Sequence, residues 1–338
     1  MPRRSLVEQL DQAVEAMLTR PEEPLQQTDA RLAPLLQVAA ALRDLPRSEF
    51  KAGLKSQLGG NKTMTSTAEP YPQEKKQSIV SAVPPGYHTI TPYLVAQDAR
   101  ALIEFIKQTF AGELKFQSIG SAGGIHAEMR VGDSMLMIGG GGPGLSWRGQ
   151  ALPTSLHVYV EDADAVYRRA LEAGATSIEE PTDQPYGDRE TGVKDRSGNL
   201  WWIATHKEGG HIPQGLRSVT PFLLPRDAES LISFLRRAFG AEEVSRHASA
   251  DGVIHHAVVR IGDSALEMGE AHGPYQPMPT MFYLYVPDVD GWYRRAVEAG
   301  ATSLHEPADQ SYGDRSGGVR DAFGNQWYVA THIKDIQG

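Results

Sequence analysis

The sequence predicts an α+β protein: two tandem, similar domains, each of two βαβββ modules forming a cupped incomplete barrel, preceded by a short helical N-terminal region. Three observations predict it. The stretch QPYGDRETGVKDRSGNLWWIATH, Gln184 to His206, returns as QSYGDRSGGVRDAFGNQWYVATH, Gln310 to His332. The likeness continues upstream, where ITPYLVAQDARALIEFIKQTFAGE from Ile90 answers VTPFLLPRDAESLISFLRRAFGAE from Val219, and YRRALEAGATS from Tyr167 answers YRRAVEAGATS from Tyr293. Within each copy, strand-like and helix-like apolar spacings alternate in one fixed order, twice over.

The elements follow in chain order. Residues 5–58 read as two amphipathic helices, carried by Leu6, Leu10, Val14 and Leu18 and then by Leu32, Leu35, Leu36 and Ala39. Arg20-Pro21 and Leu45-Pro46 punctuate them, because proline disfavours helical geometry in the residue before it. They suit either a spacer or a docking hairpin for a protein partner. Residues 59–85 are rich in Gly, Ser, Thr, Pro and Lys without apolar periodicity, the makeup of a flexible linker. The repeated units then run from 86 to 210 and from 211 to 338.

In the first unit ITPYLVA alternates like a strand, and DARALIEFIKQTFAG puts Leu102, Ile103, Phe105, Ile106 and Phe110 on one helical face, with Gly112 to stop it. ELKFQSI, IHAEMRV and SMLMIG read as strands, the last two joined at Gly132-Asp133. The series restarts with SLHVYV, the helix ADAVYRRALEAG, and strands around ATSIEEP, TGVKDR and LWWIATH. Sheets of such modules, paired side by side, make a cup with helices outside, and a cup is where ligands go.

Composition excludes several function classes. A formal net charge of -9 argues against a nucleic-acid partner, which would want clustered cations. With no cysteine there is no disulfide, thiolate site or cysteine nucleophile. No run of about 18 apolar residues and no signal-peptide pattern occurs, so no membrane partner is expected and a cytoplasmic address follows by default. GGGGPG, Gly139 to Gly144, fails as a phosphate loop because no Lys-Ser or Lys-Thr follows; Trp147 and Arg148 just beyond it are candidates for a lid.

The order TPYLVAQDA, AFGAEE, IGDS, VYVEDAD, EAGAT and DxxGNxW...ATH resembles the vicinal oxygen chelate superfamily of glyoxalases, bleomycin-resistance proteins and extradiol dioxygenases, in its PhnB-like branch, over nearly all of residues 86–335. The resemblance implies glyoxalase-like domains with His or Glu metal ligands on the first and last strands of each module. By alignment those places hold Thr91, Met137, Ser155 and Trp202 in the first unit and Thr220, Glu267, Met281 and Tyr328 in the second. One carboxylate is too few for a catalytic ion, which wants at least three protein donors. A slip of two residues would keep the strand face and bring His157 inward.

His126, His256 and His157 are therefore the candidate acid–base residues of a metal-free cup. Tyr186, Arg189, Tyr312 and Arg315 of the repeated Tyr-Gly-Asp-Arg, placed on a rim loop, are candidate ligand contacts, with Glu267 and with Trp201, Trp202, Trp327 and Tyr328, of which one in each adjacent pair should face the cup. Turn chemistry is the structural alternative, with the arginines pairing with Asp195 and Asp321. Thr205-His206 and Thr331-His332 read as closure of the domain edge.

The expected function is metal-independent binding of a small organic molecule, for resistance, sequestration or sensing. No cofactor is expected, with a divalent metal as the open alternative. The rivals are a lyase, isomerase or dioxygenase-type enzyme with a nonstandard site, and an interaction module recruited through the N-terminal helices. The two domains are expected to pair within the chain.

Overall fold

A computed structural model describes residues 81–335 except Ser121; the helices expected at 5–58 and the linker up to residue 80 lie outside them. Four βαβββ modules follow one another. Module 1 is β1 (Ile90–Ala96), α1 (Ala99–Phe110), β2 (Glu113–Ile119), β3 (Ile125–Val131) and β4 (Ser134–Gly140). Module 2 is β5 (Ser155–Tyr159), α2 (Ala163–Glu172), β6 (Thr176–Asp183), β7 (Asp188–Lys194) and β8 (Leu200–His206). Module 3 is β9 (Val219–Leu223), α3 (Ala228–Phe239), β10 (Glu242–Ala248), β11 (Ile254–Ile261) and β12 (Ser264–Met268). Module 4 is β13 (Met281–Tyr285), α4 (Val289–Glu298), β14 (Thr302–Asp309), β15 (Asp314–Arg320) and β16 (Gln326–His332).

Each of these four helices starts on an aspartate. Asp98, Asp162, Asp227 and Asp288 accept from the amides of Ala101, Ala165, Ser230 and Gly291, satisfying donors the helix cannot pair internally. In α3 the chain leaves through Gly240 at φ 67. In α1 it is Ala111, at φ 54, that takes the left-handed turn expected of Gly112. Gly112 is small for another reason: a Cβ there would lie 2.7 Å from Ile106 Cγ2.

The modules do not pair in the order in which they are written. One eight-stranded sheet runs β14-β15-β16-β13-β1-β4-β3-β2 and the other β10-β11-β12-β9-β5-β8-β7-β6. Modules 1 and 4 thus make one cup and modules 2 and 3 the other, correcting the expectation that each unit closes a cup from its own two modules. The seams are antiparallel, with Thr91 opposite Tyr283 between β1 and β13 and Thr220 opposite His157 between β9 and β5. Neither sheet closes into a barrel.

The cores divide differently. Leu94, Leu102, Ile106 and Met129 of module 1 share a buried cluster with Leu156, Val158, Trp201 and Ile203 of module 2. Leu231, Leu235, Phe239 and Leu266 of module 3 do the same with Phe282, Leu284, Trp327 and Val329 of module 4. A repeat therefore builds an apolar core from the backs of two sheets, while each cup borrows from both repeats. The Arg-x-Gly-Asp-Ser turns knit the halves together. Asp133 and Ser134 accept from the amides of Ser218 and Val219 at 2.9 and 3.0 Å, and Asp263 and Ser264 accept from those of Thr89 and Ile90 at 2.8 and 3.0 Å.

The last residues of the expected linker belong to the body, where Ala82 O accepts from His332 N at 3.1 Å, and just past the linker Tyr87 packs edge-on against Tyr285 at 5.3 Å. No helix among the described residues is long and apolar enough to cross a membrane.

Candidate functional site

Strand alternation decides which side chains enter a cup. On β8 it sends Trp201 to the core, wholly buried against Phe105 and Phe110, and Trp202 to the cup. Trp327 and Tyr328 divide in the same way, with Trp327 stacked on Phe282 at 4.4 Å. Trp201 and Trp327 are thus removed from the candidate contacts.

Their indole N–H groups explain the repeated Asp-x-x-Gly-Asn-x-Trp. Asp195 accepts from the amides of Ser197 and Asn199, from the Asn199 side chain and from Trp201 Nε1, all within 3.0 Å. Asp321 does the same for Phe323, Asn325 and Trp327 within 2.9 Å. A buried carboxylate with four donors is saturated, so neither arginine pairs with it. Arg189 instead bonds Asp164 and, at 3.0 Å, Asp183; Arg315 bonds Asp290 at 2.8 Å and Asp309 at 2.9 Å. Both forks clamp a strand to the first turn of a helix outside the cup, which occupies the groups that a ligand carboxylate would need. Thr205 and Thr331 cap helices too, accepting from Ala163 N and Val289 N.

The 2/3 cup gathers titratable groups from four of its strands and two modules. His157 on β5 is 6 % exposed and Glu267 on β12 is 2 % exposed. Nδ1 of His157 and Oε2 of Glu267 lie 3.0 Å apart, and the other Glu267 oxygen is 3.3 Å from His256 Nε2. The two-residue slip is therefore the register found: His157, not Ser155, stands opposite Thr220, while Ser155 Oγ accepts from Trp202 Nε1 at 3.1 Å. On the far side of the imidazole, Nε2 is buried without a hydrogen-bond partner, 3.7 Å from Glu190 Oε2. Donor atoms of His157, Asp188 and Glu190 all lie within 4.8 Å of one another.

Glu190 is the residue missed from sequence. The strand-like run TGVKDR begins at Thr191, yet β7 begins at Asp188, so Asp188 and Glu190 share its inward face. The signal was there in the alternation of Asp188, Glu190 and Gly192, masked because the sister copy has Ser316 in place of Glu190. Tyr186 reaches from the rim, well exposed, and donates to Glu190 Oε2 at 3.0 Å. Tyr312, at the matching place, lies 3.4 Å from Ser316 Oγ.

The electrostatics follow from burial and crowding. Burial presses the His157 imidazole towards neutrality, but facing Glu267, with Glu190 and Asp188 nearby, raises its pKa overall. Burial would raise Glu267, and His157 overrides this to hold it at about 2. Glu190 is raised, first by burial, which His157 and Tyr186 only partly offset, and further by the like charges of Glu267 and Asp188. The arrangement can pass a proton between an imidazole and a carboxyl group that resists ionising.

The 1/4 cup answers the same positions with hydroxyls and a thioether. Tyr283 stands for His157, Met137 for Glu267 and Ser316 for Glu190. The Tyr283 hydroxyl donates to Asp314 Oδ2 at 2.9 Å, and Tyr283, Tyr285, Met137 and Ala330 form a small buried cluster joined by Tyr87, Tyr93 and Tyr328. His126 lies 3.0 Å from the Tyr93 hydroxyl and 3.5 Å from Glu128. The lid expected of Trp147 and Arg148 is not formed: Trp147 lies against the backbone of Gly124 and Gly141, and Arg148 donates to nearby carbonyls.

Residues 86–203 and 217–329 each match the Glyoxalase/Bleomycin resistance protein/Dioxygenase superfamily. Uncharacterized protein Mb0911c of Mycobacterium bovis is 35% identical over 130 residues, 35% of this chain and 86% of that protein. Uncharacterized protein Rv0887c of Mycobacterium tuberculosis is 35% identical over 130 residues, covering 76% of its length. Among solved structures, glyoxalase I from Zea mays superposes with a TM-score of 0.54 at 13% identity, over 72% of this chain and 92% of that one, a likeness of fold.

Proposed function

Because the chain belongs to the Glyoxalase/Bleomycin resistance protein/Dioxygenase superfamily, we propose that it binds a small organic molecule, and that the 2/3 cup is where it does so. One observation carries this reading. Two cups of the same topology differ in their lining, and the 2/3 cup sets a buried imidazole whose Nε2 has no partner, His157, with buried Glu267 and half-buried Glu190 beneath an aromatic wall, Trp202 with Tyr275 edge-on to it at 5.6 Å. A flat ligand can stack on that wall and hydrogen-bond to His256 or Tyr186 at the mouth. Holding it takes no metal, so capture of this kind serves resistance, sequestration or sensing, and the PhnB-like character of the motifs belongs to the same reading.

Trp202 supplies the test. Tryptophan emission of the full-length, chelator-treated protein is followed while a panel of flat neutral, cationic and anionic compounds is added. At least one class should shift the emission, with the response lost in Trp202→Phe and kept in Tyr328→Phe. No response to any class, or loss in Tyr328→Phe alone, overturns the reading.

A second reading, conversion of the bound molecule by a lyase, isomerase or dioxygenase-type reaction, draws support from the unpartnered Nε2 of His157 facing Glu190. Family enzymes use a divalent ion, and the donor chemistry here fits one. His157 with the cup carboxylates would hold it, and the ion would supply Lewis acidity towards a ligand oxygen. The chain's own residues would bind and orient the ligand and move a proton at Glu190.

A further inference from the structure

We infer that His157 Nε2, Glu190 and Asp188 are the donor set for one divalent cation in the 2/3 cup, with Glu267 holding the imidazole from behind rather than ligating. This rests on the 2/3 cup being the working site, and it departs from a set on the first and last strands of the modules, because two of the three donors come from β7. Those outer-strand positions offer only Glu267 and His157 here, beside Thr220 and Trp202.

Three observations lead to it. The first is an imbalance of charge. Glu267, Asp188 and Glu190 have side chains 3, 5 and 14 % exposed, and among the described residues no Lys or Arg bonds any of them. Three carboxylates set that deep call for a positive partner. His157 and His256 face Glu267 and His206 faces Asp188, so among the described residues Glu190 is left with no cationic partner closer than His157 Nε2 at 3.7 Å.

The second is the direction of the imidazole. A hydrogen bond from Nδ1 to a carboxylate fixes the tautomer, leaves the Nε2 lone pair free and makes it more basic, the usual setting of a metal-bound histidine. Here Nε2 is enclosed, without a partner, and faces Glu190. Leaving such an atom unsatisfied would cost about 1–3 kcal/mol.

The third comes from the sister cup, where the longer Tyr283 carries a hydroxyl to Asp314 and so fills the matching space. His157 stops short of Asp188, and the space between them and Glu190 is bounded by one nitrogen and two carboxylates within 4.8 Å. One imidazole and two carboxylates with further positions open suit a first-row divalent ion such as iron, nickel, zinc or manganese.

The test uses the full-length protein stripped with chelator and titrated with cobalt(II), read by visible absorption and by calorimetry. One cobalt per chain is expected. Glu190→Gln should abolish stoichiometric uptake, whereas Glu267→Gln, which disturbs only the support of a ligand, should weaken it about 10- to 100-fold. Melting curves of both variants separate lost folding from lost binding, and His157→Gln, which removes the imidazole while keeping an amide to face Glu267, serves where Glu190→Gln melts early. No uptake overturns the inference, as does unchanged uptake in Glu190→Gln. Small-molecule binding judged by Trp202 emission in stripped protein fails or survives independently, so loss of the cation site alone leaves the proposed function standing.

Discussion

Where Tyr283 sends its hydroxyl to Asp314 in one cup, His157 in the other ends in a bare nitrogen near Asp188 and Glu190. The backbones, the seams and the flanking histidine pairs, His206 with Asp188 and His332 with Asp314, are shared. Among the exchanges between the cups, three surround the imidazole: Tyr283 for His157, Met137 for Glu267 and Ser316 for Glu190. They turn an aromatic, hydroxyl-bearing lining into a charged one that leaves His157 Nε2 unpaired. Scaffold and chemistry are thus separable in this chain, since the motifs repeated most faithfully, the Asp-x-x-Gly-Asn-x-Trp knot and the Arg clamps, lie outside both cups.

The sharpest way to break this contrast is to exchange the linings. Glu267→Met alone should strand a buried imidazole and destabilise the chain by about 3–5 kcal/mol, the scale for breaking one side of a buried ion pair. Adding His157→Tyr should restore most of that loss, because the new hydroxyl can reach Asp188 as Tyr283 reaches Asp314. Urea unfolding of the two single variants and the double variant measures the coupling. Additive effects would mean that the two linings are not alternative solutions.

A smaller effect should be the same in both halves. Asp195→Ala and Asp321→Ala each leave an indole N–H and backbone amides without an acceptor, at a cost of about 3 kcal/mol by the scale of hydrogen bonds to charged groups. Equal shifts in unfolding midpoint are expected; a marked inequality would show that the knots, too, have diverged.

Acidity offers a gentler probe. Burial lowers the pKa of His332, but Asp335 and Asp314 outweigh it, so its folded value is raised above the ordinary histidine value near 6.5. The sign is that of a group favoured when protonated: its stabilisation is full below about 6.5 and is lost as pH rises through the raised folded pKa. His332→Gln should flatten that part of the stability profile, measured by melting temperature from mildly acidic to mildly alkaline buffer.

Least of all is expected from the clamps. Arg189→Ala and Arg315→Ala remove exposed ion pairs and should leave the unfolding midpoint and Trp202-reported binding nearly unchanged. Loss of binding in Arg189→Ala would restore that arginine as a ligand contact.

Much of the fold could be read from the chain because it depends on local patterns. Alternation in ITPYLVA and LWWIATH and the apolar face of α1 fix element type and require Trp201 and Trp202 to point to opposite faces. The pairing of modules could not be read. All four carry the same pattern, and the choice of β13 as the neighbour of β1 is made by the Asp133 and Asp263 turns reaching residues far along the chain. Strand parity marked His126 and His256 as candidates for the cup, the family resemblance supplied Glu267 and, after a slip of two residues, His157, and parity left open which aromatic of each adjacent pair faces inward. Glu190 was not legible, because Asp188 and Arg189 looked like turn residues and hid the first residues of β7. Arg189 and Arg315 were misassigned for a related reason: their partners Asp164 and Asp290 belong to helices and are brought close only by packing.

The seams carry one more consequence. Since each hollow takes a wall from either end of the polypeptide or from both sides of its middle, a ribosome that has released only the first repeat has made an apolar kernel but no receptacle. The 1/4 cup is completed only when β16, ending at His332, takes its place beside β13. The 2/3 cup, by contrast, has all its strands once β12 is made, so a stop between β12 and β16 leaves the proposed ligand site with its walls and the other hollow without one.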